Sequence, residues 1–344
     1  MDMRLSRLLL PAFAILPLGL AFIGPSSRAV VPFAPPKFDG TLSVLTYNVH
    51  GLPWPLLWGR AAGLDQIAAR LADMRQRGQQ PHVVVLQEAF TAEARQIGHL
   101  AGYRFIADGS DAANVDNETA NGPARAFAAS AQWLRGEALG KYVGSGLEIL
   151  SDYPIVAVRR ASFPTFACAG FDCLANKGAL FASIRLPGER DPVDVVTTHL
   201  NSRVASGVSD VRSTPAYQMQ VGALSRFIQA SHDPAHPLIV AGDFNVGNAD
   251  ARKASLLQHV RTTWVRGGAI RDAYGEAVER RLPLSPDARF SMSRARDWQF
   301  FASGSGERIE LRGIDTPFGH DRNGNMLSDH VGYTARFAIS SGNG

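Results

Sequence analysis

Polar residues that could act in catalysis recur in this sequence at the ends of short apolar runs. Asn48 ends such a run in "LTYN", Glu88 in "VVVLQE" and His199 in "DVVTTH". Three later runs carry further acids, an amide and a histidine: Asp243 and Asn245 in "LIVAGDFN", Asp297 in "RDWQFF", and Asp329 and His330 in "MLSDHVGY". Strand ends that converge at one edge of a sandwich would bring all of these side chains into a single cleft.

The carboxylates and amides of this set suit the binding of a hard metal ion. Asn48, Glu88 and Asp329 supply oxygen atoms, which favour Mg²⁺ or a similar divalent cation. Such a cation neutralises phosphoryl charge and polarises a P–O bond. The set therefore predicts metal-assisted hydrolysis of a phosphate ester.

The other members of the set supply proton transfer and charge stabilisation. Asp243 could orient and deprotonate a water molecule, while the Asn245 amide could hold a developing oxyanion. A histidine paired with a carboxylate has a raised pKa, so His330 beside Asp297 would stay cationic against a phosphate.

Each of these residues taken alone has a simpler interpretation as a turn residue or a surface charge. The "GDFN" segment could be only a turn, because Gly, Asp and Asn are turn formers. The repeated pattern favours a site, since six apolar runs end in this way. The sequence contains no G-x-S-x-G elbow, Walker loop or H-E-x-x-H motif that would indicate other chemistry.

The elements that must position these residues are mainly strands. Apolar, β-rich runs occur at Thr41–Val49, Val83–Leu86, Tyr103–Ile106, Gly146–Leu150, Ala179–Leu186, Val193–Thr198, Leu238–Ala241, Trp298–Phe301, Arg308–Ile314 and Val331–Ile339. Helical spacing of apolar residues predicts helices over Leu64–Met74 and Tyr217–Ile228, and a further helix is expected at about Pro123–Leu139. The first helix connects two strands as in a βαβ unit. The pattern predicts two mixed sheets packed face to face with helices outside.

The start of the sequence resembles an export signal. Arg4 and Arg7 precede an apolar run, and small residues follow it up to Ala29. We expect residues 1–29 to be a cleaved secretory signal, residues 30–40 a linker, and residues 41–340 a single catalytic domain. The protein would then be periplasmic or extracellular, or anchored to the membrane if the segment is not cleaved. Removal of this segment would lower the net charge from +4 to about +2, and so small a charge indicates neither a nucleic-acid-binding surface nor a site for acidic substrates in general.

Cys168 and Cys173 are the only cysteines of the chain. In an exported protein they could form a disulfide. Two free thiols are the alternative, and a zinc site is disfavoured because the sequence has no C-x-x-C motif.

The blocks "TYNVHG", "LQE", "THL", "GDFN" and "SDH", taken in order, resemble the endonuclease/exonuclease/phosphatase superfamily between about Leu42 and Phe337. This superfamily includes pancreatic deoxyribonuclease, apurinic endonucleases, inositol-polyphosphate phosphatases and neutral sphingomyelinases. The resemblance implies an α/β fold, a four-layer α/β/β/α sandwich of two mixed, mainly antiparallel sheets with outer helices. It also implies a site at one end of the two sheets.

The resemblance further implies roles for the metal and phosphate ligands. Glu88 is similar to the principal metal ligand of the family, with Asn48 and Asp329 nearby. His199 and His330 are similar to the pair that binds the phosphate.

The remaining site residues are carried over in the same way. Asp243 resembles the water-activating acid, Asn245 its partner, and Asp297 the acid that orients the last histidine. The block "GFDCLANKG" resembles a stretch of secreted sphingomyelinase-like members in which a lysine lies near the phosphate, so Lys177 is expected to contact substrate, or else to be a solvated strand residue. His50 departs from the apurinic endonucleases, which typically carry an Asp there, and so disfavours that branch.

An apolar loop after Asn48 bears on the substrate. Trp54, Leu56, Leu57 and Trp58 would anchor the site at a lipid surface, since tryptophan favours the headgroup region and exposed apolar patches mark partners. The alternative is that Pro53 and Pro55 fold these side chains into the core.

Three functions follow from these observations. The first is a secreted, Mg²⁺-dependent phospholipid phosphodiesterase of sphingomyelinase type. The second is an extracellular nuclease, which would need a basic groove for which only scattered arginines are candidates. The third is a catalytically inactive binding protein, which the intact polar set disfavours. No protein partner is implied.

Overall fold

Two six-stranded β-sheets form the centre of the described part of the chain, residues 37–53, 59–265 and 269–341 of a computed structural model. The strands are β1 Thr41–Gly51, β2 Val83–Ala89, β3 Phe105–Asp108, β4 Glu148–Ser151, β5 Ile155–Ser162, β6 Gly178–Ile184, β7 Val193–His199, β8 Leu238–Asp243, β9 Arg271–Asp272, β10 Asp297–Ala302, β11 Glu307–Phe318 and β12 Gly332–Ser341. The first sheet has the order β11-β12-β1-β2-β4-β3 and the second β5-β6-β7-β8-β10-β9.

Each sheet contains one parallel pair of strands, β1 with β2 and β7 with β8, and the other neighbours are antiparallel. A parallel pair needs a crossover, which a long helix supplies in both cases. The α-helices are α1 Arg60–Gln76, α2 Ala92–Arg95, α3 Ile97–Leu100, α4 Gly122–Ala129, α5 Asp210–Ser231, α6 Asp250–Thr262, α7 Ala273–Glu279 and α8 Pro286–Arg294. Here α1 connects β1 to β2, and α5 connects β7 to β8.

Three apolar clusters hold four layers together. The largest lies between the sheets and includes Val44 and Val85 from the first sheet and Val195 from the second. A second cluster packs α5 and α6 against the second sheet, and a third packs α1 against the first. The predicted α/β/β/α sandwich of two mixed sheets with outer helices is therefore confirmed.

Several predicted elements differ from the structure. The helix expected at Pro123–Leu139 is wrong in extent, because α4 ends at Ala129 and a single 3₁₀ turn follows at Trp133–Arg135. No side chain of α4 is buried, so an apolar face does not extend it. Strand β5 was not predicted, because its sequence "IVAVRRAS" lies at a half-exposed sheet edge and includes two arginines.

Two predicted features lie outside the described residues. They are the N-terminal segment with its linker up to Pro36, and the apolar loop with Trp54, Leu56, Leu57 and Trp58. Among the helices that the structure describes, none has the length and apolar character that a membrane crossing requires.

Candidate active site

The candidate site lies where the ends of five strands meet. In the second sheet, Asp243 at the end of β8 pairs in register with His199 at the end of β7 and with Asp297 at the start of β10. In the first sheet, Asn48 of β1 pairs with Gln87 of β2. These registers bring polar residues from distant parts of the chain to the same end of the sandwich.

Asn48 connects the two sheets. Its Nδ2 donates hydrogen bonds to Glu88 Oε1 and to Asp243 Oδ2, each at 3.0 Å. Its Oδ1 accepts a bond from the backbone N–H of His50 at 3.0 Å. Asn48 therefore presents its donor side to the acids, whereas its expected role as a metal ligand would use the oxygen.

Glu88 is held in an uncommon backbone conformation, with a φ of 57° in the left-handed region. Close packing accompanies it, because a Cβ on Gly51 would lie 2.6 Å from the Glu88 carbonyl oxygen. Glu88 Oε2 is buried and has no hydrogen-bond partner among the described residues. Burial raises the pKa of Glu88 to about 7, although the Asn48 hydrogen bond and the charge of His330 oppose the shift.

Lys177 is buried rather than solvated, with 5% of its surface exposed. Its Nζ donates to Asp172 Oδ2 at 3.0 Å and to the Leu200 carbonyl at 2.9 Å, and it lies 3.2 Å from His199 Nε2. Burial, followed by the charges of Lys177 and His330, holds the pKa of His199 well below its ordinary value. His199 is therefore neutral, and the adjacent ammonium carries the positive charge.

His330 lies between two carboxylates. Its Nδ1 is 2.8 Å from Asp297 Oδ2, and its Nε2 is 3.7 Å from Asp243 Oδ2. Burial alone would lower the pKa of His330, but the charges of Asp297 and Asp243 outweigh it and raise the pKa to about 10. Burial also raises the pKa of Asp243, which His330 in part opposes. The Asp297–His330 pair predicted from the sequence is thus formed.

Asp329 lies at the rim of the site, with 51% of its side chain exposed. It contacts His50 Nδ1 at 3.4 Å, Arg296 Nη1 at 3.6 Å and His330 Nε2 at 3.9 Å. Burial opposes ionisation of Asp329, but the charges of His330 and His50 outweigh it and lower its pKa. The structure therefore places Asp329 beside Arg296 and the cationic His330 rather than beside Glu88.

Asn245 supports the loops of the site. Its backbone N–H donates to Asp243 Oδ1 at 3.0 Å, and its Nδ2 donates to the Leu200 carbonyl at 3.0 Å. Beneath it, Arg252 is fully buried and donates from Nη1 to the carbonyls of Asn201 and Asn245. Sequence reasoning missed Arg252, because the side chain of an arginine in a polar helix is normally exposed to solvent.

Two groups of residues could bind a cation. Ligand atoms of Asp243, Asp297 and His330 lie within 4.8 Å of one another. A histidine must be neutral to bind a metal ion, however, and His330 is held as a cation. Glu88 fits a cation better, because it offers a buried carboxylate oxygen without a partner. Burying a charge without a partner is costly, and a divalent ion would supply that partner.

Most of the predicted site residues thus come together. Seven of them share one bonded network: Asn48, Glu88, Lys177, His199, Asp243, Asp297 and His330. Asn245 is joined to this network by its backbone N–H, which donates to Asp243, and Asp329 lies at its rim. Sequence reasoning missed His50 at the rim as a contributor. It also gave no role to Asp172, which could have been found from its place in the "GFDCLANKG" block.

A model of the endonuclease/exonuclease/phosphatase family matches residues 45–331 of the sequence. The chain belongs to this family. A sphingomyelinase of Mycobacterium tuberculosis is 25% identical to it over 298 residues, which cover 85% of this chain and 51% of the relative. The chain thus spans about half the length of the curated relatives that it matches. The family match agrees with the superfamily that the sequence predicted.

Solved structures share the fold. Sphingomyelinase C from Streptomyces griseocarneus is 24% identical, with a TM-score of 0.53 over 86% of this chain and 99% of that chain. A beta toxin variant from Staphylococcus aureus with bound magnesium ions is 18% identical, with a TM-score of 0.55 over 86% and 98%. TDP2 of D. rerio in complex with a single-stranded DNA product is 18% identical, with a TM-score of 0.54 over 87% and 99%.

Proposed function

We propose that the protein is an exported, divalent-metal-dependent phosphodiesterase that hydrolyses a phospholipid such as sphingomyelin. The observation that carries the proposal is the surroundings of Asp243. Its Oδ2 lies 3.0 Å from Asn48 Nδ2, 3.5 Å from His199 Nε2 and 3.7 Å from His330 Nε2. A carboxylate that accepts a bond from Asn48 and lies close to two imidazoles, one of them cationic, is placed to receive a proton beside positive charge, which hydrolysis of a phosphodiester requires.

Each residue has a distinct part in that reaction. Hydrolysis forms one bond from water oxygen to phosphorus and breaks the ester P–O bond. Asp243 accepts the proton of the attacking water. His330, cationic and oriented by Asp297, binds a phosphoryl oxygen and is the nearest acid for the departing alkoxide. Lys177 adds a second fixed positive charge next to His199, which favours the charge that develops on the phosphoryl group.

Glu88 would hold the divalent cation, which when bound neutralises phosphoryl charge. The fit rests on its buried, unpartnered oxygen. The hard carboxylate ligand favours Mg²⁺, and the magnesium ions in the beta toxin structure agree with this choice. Asn48 then acts by keeping the Glu88 carboxylate in place. Asp329 contributes from the rim, where its contacts with His50 and Arg296 place it.

The sphingomyelinase relatives support a phospholipid substrate. A nuclease is the alternative, favoured by the DNA-bound TDP2 structure. Export is supported by the signal-like start of the sequence and by the disulfide between Cys168 and Cys173, since disulfides persist in oxidising compartments. The apolar loop with Trp54, Leu56, Leu57 and Trp58 would add membrane contact beside Asn48.

The test offers purified protein three substrates in parallel with Mg²⁺: sphingomyelin, phosphatidylcholine and plasmid DNA. We expect release of a phosphorylated headgroup from sphingomyelin, and loss of this activity with a chelator. Asp243→Asn should lower kcat by at least about 10²-fold, the usual range for general-base removal.

A matched control is Asp287→Asn, which alters an Asp–His pair outside the site and should keep wild-type activity. Cleavage of DNA with intact lipids would establish the nuclease function instead. Full activity in chelator would exclude the metal-dependent mechanism.

A further inference from the structure

One part of the surface near the site carries an unusual density of apolar side chains. Of the twelve large apolar residues that are exposed in the described part of the chain, seven lie in three segments, within residues 133–142, at 171 and within 204–211. Six of them define what is here called the apolar platform: Trp133, Leu134, Leu139, Tyr142, Phe171 and Val204. Trp133 and Leu134 are 64% and 73% exposed. Soluble proteins rarely group such side chains without a partner.

Phe171 lies at the middle of the platform and brings its segments together. A Cβ on Gly136 would lie 3.2 Å from Phe171, and one on Gly207 would lie 3.1 Å from its ring. The Phe171 backbone N–H donates to the Ser206 carbonyl at 2.9 Å, and the Tyr142 N–H donates to the Leu174 carbonyl at 2.7 Å. The three segments are therefore packed against one another.

A buried ion pair supports the platform from below. Glu137 accepts from Arg212 Nη2 at 2.6 Å, from the Gly170 N–H at 2.8 Å and from the Gln132 N–H at 2.7 Å. The Cys168–Cys173 disulfide closes the segment that contains Phe171. Because these bonds fix the backbone, the exposed side chains are held outward by the fold.

The platform is joined directly to the catalytic residues. Asp172 follows Phe171 in the chain and accepts from Lys177 Nζ, which lies 3.2 Å from His199. The same Asp172 oxygen accepts from the backbone N–H of Ser202, two residues before Val204. A surface on which the platform rests would therefore lie beside the phosphate-binding end of the site.

The charge around the platform favours one kind of partner. Arg135 is exposed in the same turn as Trp133 and Leu134, and it forms no ion pair within the described residues. Tryptophan and tyrosine beside basic side chains are typical of protein surfaces that bind the headgroup region of a bilayer, and basic residues near an anionic leaflet add to binding.

We propose that the apolar platform is a membrane-docking surface that seats the active site on a phospholipid bilayer. The inference rests on the proposed lipid substrate and adds the face of the molecule that meets it.

The experiment measures sedimentation of the protein with vesicles of sphingomyelin and phosphatidylglycerol. All proteins carry Glu88→Gln, so that hydrolysis does not alter the vesicles. Adding Trp133→Ser with Leu134→Ser should weaken vesicle binding by at least about tenfold, because two large apolar side chains no longer enter the interface. The control adds Leu100→Ser with Val278→Ser, which are 56% and 55% exposed outside the platform, and should bind as the parent does.

Melting temperatures establish that every variant is folded, and they should agree because exposed substitutions change stability little. Unchanged vesicle binding in the platform variant, or an equal loss in the control, would overturn the proposal. Sedimentation velocity gives a third outcome that would overturn the proposal. If the parent is a dimer and only the platform variant is a monomer, the platform is the contact between two copies of the chain. If vesicle binding depends on the platform but the protein with its native Glu88 hydrolyses no lipid, the proposed function is refuted and the docking surface is not.

Discussion

At the scale of single residues, Asp297 controls the charge of His330. Its carboxylate contributes most among the groups that raise the His330 pKa to about 10. In Asp297→Asn we expect this pKa to fall towards its ordinary value of 6.5. Wild-type His330 keeps its proton throughout neutral pH, whereas the variant loses it as the pH rises through about 6.5.

The variant should therefore lose activity increasingly between pH 5.5 and 8.5, by about 10²-fold at the upper end. The measurement is kcat/KM against pH on a soluble phosphodiester. Asp287→Asn is the matched control, because it removes a carboxylate from His320 instead. Parallel pH profiles for Asp297→Asn and wild type would contradict the assignment of His330 as the cation.

A second prediction at this scale concerns Glu148, which the proposed mechanism does not use. It lines a polar cavity of about 360 Å³ with Asp108, Arg95 and Arg160. Both of its carboxylate oxygens are buried without a hydrogen-bond partner among the described residues. Burial, with a smaller contribution from Asp108, raises the Glu148 pKa to about 8 against the opposing charge of Arg95.

Because the folded state then binds this proton more tightly than the unfolded state, Glu148 lowers stability as the pH rises from about 4.5 to about 8. Glu148→Gln should raise the free energy of unfolding by about 1–3 kcal/mol at pH 8 and by little at pH 4.5. Urea unfolding at both values measures the difference. Glu310→Gln, at a half-buried position, serves as control. An equal effect of Glu148→Gln at both pH values would show that its carboxylate is not destabilised by burial.

The identity of the site residues could be predicted from sequence better than their conformation. Acids and amides at the ends of apolar runs indicate a site, because strand ends converge. Three non-glycine site residues, His50, Glu88 and Asn245, have φ values of 52°, 57° and 49°. Left-handed backbone costs such residues about 1–2 kcal/mol, and only the surrounding packing imposes it. For the same reason the donor-side orientation of Asn48 follows from its neighbours and not from its own segment.

At the scale of elements, the disulfide loop connects stability to the site. Cys168 and Cys173 are bonded, with Cα atoms 5.2 Å apart, as the sequence predicted for an exported protein. Their loop contains Asp172, which holds Lys177. Replacing both cysteines by alanine should cost about 2 kcal/mol on the loop-entropy model and should lower kcat, because Asp172 is less well fixed.

Thermal unfolding and steady-state kinetics test these two effects. Alkylation with intact-mass analysis, before and after reduction, tests the bond itself. Two alkylated thiols in unreduced protein from its native compartment would show that the disulfide is absent there.

Elements with a periodic apolar face could be predicted, and elements without one could not. Helices α1 and α5 have buried residues at helical spacing, such as Leu64, Ile67 and Leu71 in α1, and both were predicted. Helix α6 buries only Arg252, Leu256 and Val260, so its sequence resembles that of an exposed segment. Its position depends on the loops that Arg252 binds, and these loops meet only in the folded protein.

At the scale of the whole molecule, the site belongs to both sheets at once. Asn48 and Glu88 come from the first sheet and Asp243 from the second, and the bond between Asn48 and Asp243 spans 195 residues of sequence. Residues so far apart are placed by the packing of the two sheets on their common core. Binding at the site should therefore be coupled to the stability of the whole sandwich.

Metal binding should reveal this coupling without any measurement of activity. A cation that binds the native but not the unfolded protein stabilises it by about 2.7 kcal/mol at a hundredfold excess over Kd. At pH 8 we therefore expect Mg²⁺ to raise Tm by about 3–6 °C.

At pH 5.5 the rise should be smaller, because the Glu88 pKa of about 7 lets a proton compete for the carboxylate. Glu88→Gln should abolish the Mg²⁺ effect and raise the Tm of the metal-free protein at pH 8, since it removes a buried charge that has one oxygen, Oε2, without a hydrogen-bond partner among the described residues. Asp297→Asn is the discriminating control: a response to Mg²⁺ that survives in Glu88→Gln and disappears in Asp297→Asn would place the cation among Asp243, Asp297 and His330 instead.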